Sequence, residues 1–161
     1  MSMTSHFRAV SDEELAQLLL EPERIHSLVR RAAPSEEHLE LERTWQALHF
    51  LMCGEPWGGP PPLDFIMSGG EPIGNEDIAH GPARGFTADE VRVIALALGA
   101  VTWVALGERW DPDVVRAADL YAIDLARPEA ELEQLKAAFE SLRGFITSLA
   151  TQSRGMLVYM L

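Results

Sequence analysis

Glycine and proline are concentrated in one stretch of the chain, residues 54–86. These 33 residues contain eight of the twelve glycines and six of the ten prolines. Proline fixes φ and removes a backbone donor, whereas glycine adopts conformations closed to other residues, so we expect neither a long helix nor a regular strand ladder there. A loop of this length inside a folded domain is uncommon and is often functional. We therefore expect a local functional site to involve this segment.

The chain as a whole has the composition of one folded domain, which we expect to span residues 1–161. Hydrophobic residues make up 47% of the sequence and charged residues 24%, which excludes a disordered chain. Cys53 is the only cysteine, so no disulfide can form within the chain, and a reducing compartment is indicated. The N-terminal residues lack the pattern of an export signal, and we expect a cytoplasmic protein.

The net charge restricts the partners that the protein could bind. The formal charge is −12, with 25 acidic and 13 basic residues. Binding to nucleic acid or to an anionic membrane surface depends on clustered Lys and Arg, so we expect neither partner. The uncharged stretch at residues 94–106 is shorter than the roughly 20 residues needed to span a bilayer. A basic protein is the macromolecular partner that this charge favours.

Strands are predicted at both ends of the chain. Residues 5–10 form a candidate strand, and residues 156–161 are wholly apolar, as in a strand covered on both faces. We expect these two strands to pair. The clearest helix begins at Pro128 and ends before Gly155, because its apolar residues recur every three or four positions. Those residues are Leu132, Leu135, Phe139, Leu142, Ile146 and Leu149.

Capping signals predict several further helices. Ser11 with Glu14, and Thr87 with Glu90, each have the spacing of a capping box at a helix start. Shorter helices are expected after Pro22 and after Asp111, and a longer one from Pro34 to about Cys53, ended by Gly54. The expected fold is α+β: a small sheet containing the N- and C-terminal strands, packed by about six helices, with a long Gly/Pro-rich loop.

Two segments of the chain resemble a known family. They are residues 45–54, WQALHFLMCG, and residues 69–84, GGEPIGNEDIAHGPAR. With the closing strand around Tyr159 and the overall length, they resemble the YfbM-like family of bacterial proteins, a domain of unknown function. The resemblance covers nearly the whole chain and implies a small cytoplasmic α+β domain. It implies no activity, cofactor or catalytic residue.

The helix before the loop contains the first candidate site residues. His49 could act as a general base in a pocket covered by Trp45 and Trp57. Alternatively, it is a buried histidine whose ring nitrogens bond to loop carbonyls and hold the loop to the helix. Cys53 lies four residues after His49, as in a Cys–His nucleophile pair, but a free cysteine is more often a small buried apolar side chain.

The second part of the loop contains a cluster of charged candidates. Glu71, Asp77 and His80, with Glu76, could supply ligands to a hard cation. Their spacing matches no known metal motif, and we expect no metal and no cofactor. The structural alternative is that Glu76 or Asp77 caps a turn and pairs with Arg84.

Two functions of different class are consistent with these residues. The first is a non-enzymatic interaction or regulatory module, of the immunity type for example, that binds a basic protein. The second is a small-molecule binder or a hydrolase-like enzyme with its site between the 54–86 loop and the Trp45/His49 helix. An oligomer whose loop forms the interface is a third alternative. The sequence contains no recognisable catalytic motif that would decide between them.

Overall fold

The two ends of the chain pair at the centre of the sheet, as the sequence predicts. A computed structural model describes residues 2–161. Strand β1 (Ser5–Val10) lies antiparallel to β5 (Gly155–Met160), with Ser5 opposite Met160. The other strands are β2 (His38–Leu41), β3 (Glu71–Pro72) and β4 (Arg84–Phe86), and the sheet order is β2-β1-β5-β4-β3. Every strand pair is antiparallel, so the expected α+β class is confirmed.

Helices form most of the remaining regular structure. The described residues contain seven helices, against the expected number of about six. They are α1 (Asp12–Leu20), α2 (Arg24–Arg30), α3 (Trp45–Cys53), α4 (Ala88–Gly99), α5 (Trp103–Glu108), α6 (Pro112–Ala117) and α7 (Pro128–Thr151). Within residues 2–161, no helix has both the length and the apolar composition needed to cross a membrane.

The predicted caps are present at the helix ends. At α1, the Ser11 hydroxyl accepts from the Glu14 amide at 3.1 Å, and the Glu14 carboxylate accepts from the Ser11 amide at 3.0 Å. Thr87 and Glu90 form the same capping box at α4. Gly54 ends α3 with φ +79°, a left-handed conformation that glycine adopts without steric cost.

The prediction of one helix from Pro34 to Cys53 is wrong in its first half. Residues 38–41 form β2, which pairs with the free edge of β1, and the helix begins only at Trp45. Leu39 and Leu41 alternate with His38 and Glu40, which is the two-residue period of a strand. The start signal at residues 34–37 is misleading because pairing with β1 overrides a weak local preference for helix.

The 54–86 segment is more regular than its composition suggests. Its two short strands, β3 and β4, pair with each other, and β4 also pairs with β5. A Cβ at position 155 would lie 2.3 Å from the Phe86 carbonyl oxygen, so Gly155 allows β4 to approach the central strand. The loop is therefore joined at its C-terminal end to the sheet.

Two apolar cores lie on opposite faces of the sheet, because side chains alternate along each strand. Phe7 and Val158 belong to the larger core, with residues of α3, α4 and α7. Val10 and Leu157 belong to the smaller core, with residues of α1 and α2. The N-terminus of α3 borders the larger core beside the end of β5. The loop that follows the C-terminus of α3 borders the same core.

Candidate functional site

His49 fastens the loop to α3. Its side chain is fully buried, and Nε2 donates to the Gly58 carbonyl oxygen at 2.7 Å. One helical turn earlier, the Gln46 amide donates to the Pro56 carbonyl oxygen at 3.2 Å and accepts from the Tyr121 amide at 2.6 Å. Burial lowers the pKa of His49, although the bond to Gly58 opposes this shift. The neutral ring thus makes the contact that the structural alternative describes.

Cys53 lies beside His49 in a setting that disfavours the thiolate. Its Sγ is 3.9 Å from Nδ1 of His49, which is the unprotonated ring nitrogen because Nε2 donates to Gly58. Burial raises the pKa of the thiol to about 11, and the Asp64 carboxylate adds to the shift. A nucleophilic cysteine needs a shift in the opposite direction. The geometry therefore favours the interpretation of Cys53 as a packed apolar side chain.

A cleft of about 420 Å³ opens between the loop, the first turn of α3 and the end of β5. We call it the tryptophan cleft. It brings together four of the candidate site residues, namely Trp45, Trp57, His80 and Arg84. Most of the other lining side chains are apolar: Met3, Ile66, Met67, Pro72, Pro82, Val158 and Met160. The backbone turn at Gly81 and the Tyr159 position complete its lining.

The two tryptophans of the cleft differ in exposure and support. Trp45 is 1% exposed, its Nε1 donates to the Met3 carbonyl oxygen at 3.2 Å, and its ring stacks on Tyr121 with centroids 5.6 Å apart. Trp57 is 65% exposed, and its ring lies 6.4 Å from that of Trp45 at an angle of 58°. Trp45 is consequently a buried side chain held in place by its neighbours, whereas Trp57 is an exposed aromatic side chain on the loop.

Arg84 holds the loop through backbone carbonyls. Its Nη1 donates to the carbonyl oxygens of Ser68 and Gly69, the latter at 2.9 Å. Its Nη2 donates to those of Phe65 and Ile66, at 3.0 and 2.8 Å. Burial lowers the pKa of Arg84 to about 10, so the guanidinium keeps its charge at neutral pH.

The expected ion pair between Arg84 and Glu76 or Asp77 is absent from the described residues, and that prediction is wrong. Glu76 instead lies 3.0 Å from Nε2 of His26 on α2. Arg84 stands on β4 and turns toward the reversal of the chain at residues 65–69, whereas the two carboxylates lie in the exposed turn after β3. Four carbonyl groups take the place of the predicted carboxylate.

Three candidates lie outside the cleft. His49 is sealed beneath the loop, and Glu71 and Asp77 are exposed and do not line the cleft. Residues 2–161 contain no cluster of three or more His, Cys, Asp or Glu side chains placed to hold a metal ion. The structure therefore does not bring the acidic loop residues together into a cation site.

Sequence reasoning missed the part of the cleft that the chain ends supply. Met3 precedes β1, and Met160 ends β5 directly opposite Ser5. The predicted pairing of the two terminal strands contained this signal, since it places both methionines at one end of the sheet. That end lies next to Trp45.

The fold and the site define a small α+β protein with a cleft between its sheet and a long loop. The chain belongs to the family described as domain of unknown function (DUF1877), whose sequence profile matches residues 1–159. Among solved structures, it is similar to the protein of unknown function YfbM from Escherichia coli. That similarity has a TM-score of 0.78 at 15% identity and covers 98% of this chain and 99% of the other, which shows a shared fold. No curated protein sequence matches this chain significantly.

Proposed function

We propose that this protein is a binding module for a small, largely apolar molecule, which it takes up in the tryptophan cleft. The observation that carries the proposal is the cleft itself. Its volume of about 420 Å³ falls in the range of small-molecule sites, roughly 300–1,000 Å³. An apolar lining with a few polar groups is the usual composition of such a site.

The contacts that hold the cleft-lining residues in place favour a site that is already formed before the ligand binds. Trp45 is held by Met3 and Tyr121, and Arg84 fixes the carbonyls of residues 65–69. A preformed site binds more tightly because little conformational freedom is lost on binding. Trp57, exposed on the loop, can cover a planar ligand, since aromatic rings prefer offset or edge-to-face contacts.

The protonation states of the buried reactive groups agree with a role in binding and not in catalysis. His49 and Cys53 were the strongest catalytic candidates, and both lie outside the cleft lining. Their pKa values are shifted in the directions that keep both side chains neutral. Net charge alone supports docking of a basic protein, whereas the cleft provides a defined volume and lining for a small molecule.

A neutral fluorescent probe tests this proposal. N-phenyl-1-naphthylamine brightens when it enters an apolar site, and we expect a saturable rise at one probe per chain. Trp57→Ala should weaken binding about threefold to tenfold, because aromatic contacts contribute about 0.5–1.5 kcal/mol beyond area burial.

Leu96→Ala is the matched control. Leu96 is an apolar side chain 77% exposed on α4 and is not part of the cleft. The control should bind the probe like the unmodified protein. Absence of saturation, or equal weakening by the two substitutions, would contradict the proposal.

A further inference from the structure

One N–H group of the Arg84 guanidinium has no acceptor within the described part of the chain. A guanidinium has five N–H groups. Nη1 uses its two on Ser68 and Gly69, and Nη2 uses its two on Phe65 and Ile66. Nε makes no hydrogen bond there. In residues 2–161 the only fully buried side-chain nitrogen or oxygen without a partner is the Ser5 hydroxyl, so Nε of Arg84 is not completely buried.

Arg84 has no carboxylate partner, in contrast to Arg43 and Arg154, whereas Arg8 and Arg109 likewise donate to backbone carbonyl oxygens. Arg43, which links the β2–α3 connection to α7, pairs with both carboxylate oxygens of Glu131 at 2.6 and 2.8 Å. Arg154 has Glu37 at 3.1 Å. In the described residues no carboxylate oxygen lies within 4 Å of Arg84, and Asp64 acts only at longer range. A largely buried charge without a counter-ion is unfavourable, and carbonyl dipoles compensate only part of that cost.

We infer that the natural ligand of the tryptophan cleft is a monocarboxylate with an apolar, planar body. Its carboxylate accepts from the open Nε–H of Arg84, and its body lies between Trp45 and Trp57. This inference rests on the proposed function and adds the chemical class of the ligand. A single open donor in an apolar wall suits one compact negative charge, whereas a phosphate dianion requires several donors.

The acidity of the whole protein does not exclude this ligand. The formal charge is −12, but charges separated by more than about 8–10 Å are largely screened at physiological ionic strength. The groups that border the cleft are one guanidinium and the imidazole of His80, with no carboxylate in its lining. The local donor therefore governs recognition once the ligand is inside.

Two probes of the same shape test the inference on the unmodified protein. 1-Naphthylacetate carries a carboxylate, and 1-naphthylacetamide replaces it with a neutral amide. Charge-assisted hydrogen bonds are roughly twice as strong as neutral ones, so we expect the acid to bind at least about tenfold more tightly by calorimetry. Trp57→Ala should weaken both probes equally and leave their ratio unchanged.

The Nε–Hε resonance of Arg84 in a ¹⁵N-correlated NMR spectrum provides a second readout, assigned by its loss in Arg84→Lys. The acid should shift this resonance, whereas the amide should shift it much less. If that variant fails to fold, the affinity ratio on the unmodified protein still decides the matter. Equal affinities, or an unshifted Arg84 resonance at saturation with the acid, overturn the carboxylate assignment and leave the proposed function standing. Binding of neither probe overturns the carboxylate assignment, and the titration with N-phenyl-1-naphthylamine then decides whether the proposed function stands.

Discussion

His6 and His38 share one hydrogen bond between neighbouring strands, with Nδ1 of His6 2.9 Å from Nε2 of His38. Their rings are within 9° of parallel, and with that short in-plane contact they lie edge to edge. The other nitrogen of His6 lies 2.8 Å from the Thr4 hydroxyl, and Tyr159 packs on the ring from the next strand. Two imidazoles can share one proton in this way, but the contact becomes repulsive when both are protonated.

This histidine pair predicts a loss of stability in mild acid. Burial, and then the neighbouring His38, lowers the pKa of His6 to about 4, and burial followed by Arg8 lowers that of His38 against the opposing effect of Glu40. Unfolded histidine titrates near 6.5, so between pH 6.5 and 4 the unfolded chain binds more protons than the folded one. The contribution of these histidines to the free energy of unfolding should therefore be complete above pH 6.5 and decrease as the pH drops toward 4.

Urea denaturation at pH 7.5, 5.5 and 4.5 measures this effect. The contribution of His6 should be about 1–2 kcal/mol over this range. His6→Gln should reduce the pH dependence, although burial also lowers the pKa values of His38 and His49, which leaves a residual slope. A free energy of unfolding that is constant or rises as the pH falls would contradict the prediction.

Gly59→Ala should destabilise the loop. A Cβ at position 59 would lie 2.5 Å from Cβ of Cys53, and the glycine has φ +139°. Strain of this kind costs about 1–3 kcal/mol, and the close contact adds to it. Gly81→Ala is the matched control, since Gly81 also has positive φ (+87°), but a Cβ added there would meet no atom within 4 Å. The loss of unfolding free energy in urea should be larger for position 59, and equal losses would show that the Cys53 contact is unimportant.

The Cys53 thiol should react slowly with iodoacetamide. Its pKa of about 11 lies well above the usual value near 8.5, so at neutral pH the thiolate is about three hundredfold rarer than in an unfolded chain. Alkylation followed by mass spectrometry should be slow in native buffer and fast in 8 M urea. A native rate close to that in urea would indicate that the thiol is activated.

Removing Arg43 alone should be more damaging than removing its ion pair. Glu131 is 3% exposed and receives two hydrogen bonds from Arg43, so Arg43→Met leaves a buried carboxylate unpaired. Breaking a buried pair from one side costs about 3–5 kcal/mol, whereas replacing both partners by apolar side chains is often neutral. Chemical denaturation of Arg43→Met and of Arg43→Met with Glu131→Leu should show recovery in the double variant.

Much of the fold could be predicted because local signals and long-range pairing agree. The capping boxes at Ser11 and Thr87 and the apolar terminal strands are each specified by adjacent residues. The strand at residues 38–41 is not, because its conformation depends on the open edge of β1. The local sequence pattern therefore does not predict this strand, which depends on pairing with β1.

The packing of the loop against α3 could be predicted, but the hydrogen-bond partners of Arg84 could not. The sequence predicts that the loop packs on the Trp45/His49 helix, because that helix contains aromatic residues and directly precedes the glycine-rich segment. The carbonyl groups around Arg84 depend on where the chain reverses at residues 65–69, which no spacing rule specifies. The sequence therefore predicts an acidic partner for Arg84, whereas in the structure its partners are backbone carbonyl oxygens.

The backbones of Thr4 and Leu161 exchange two hydrogen bonds, at 2.9 and 3.0 Å, beside the methionines that border the cleft. Any tag or fused polypeptide attached at either position would leave the molecule at the rim of the cleft. Ligand screening should therefore use protein from which such extensions have been removed.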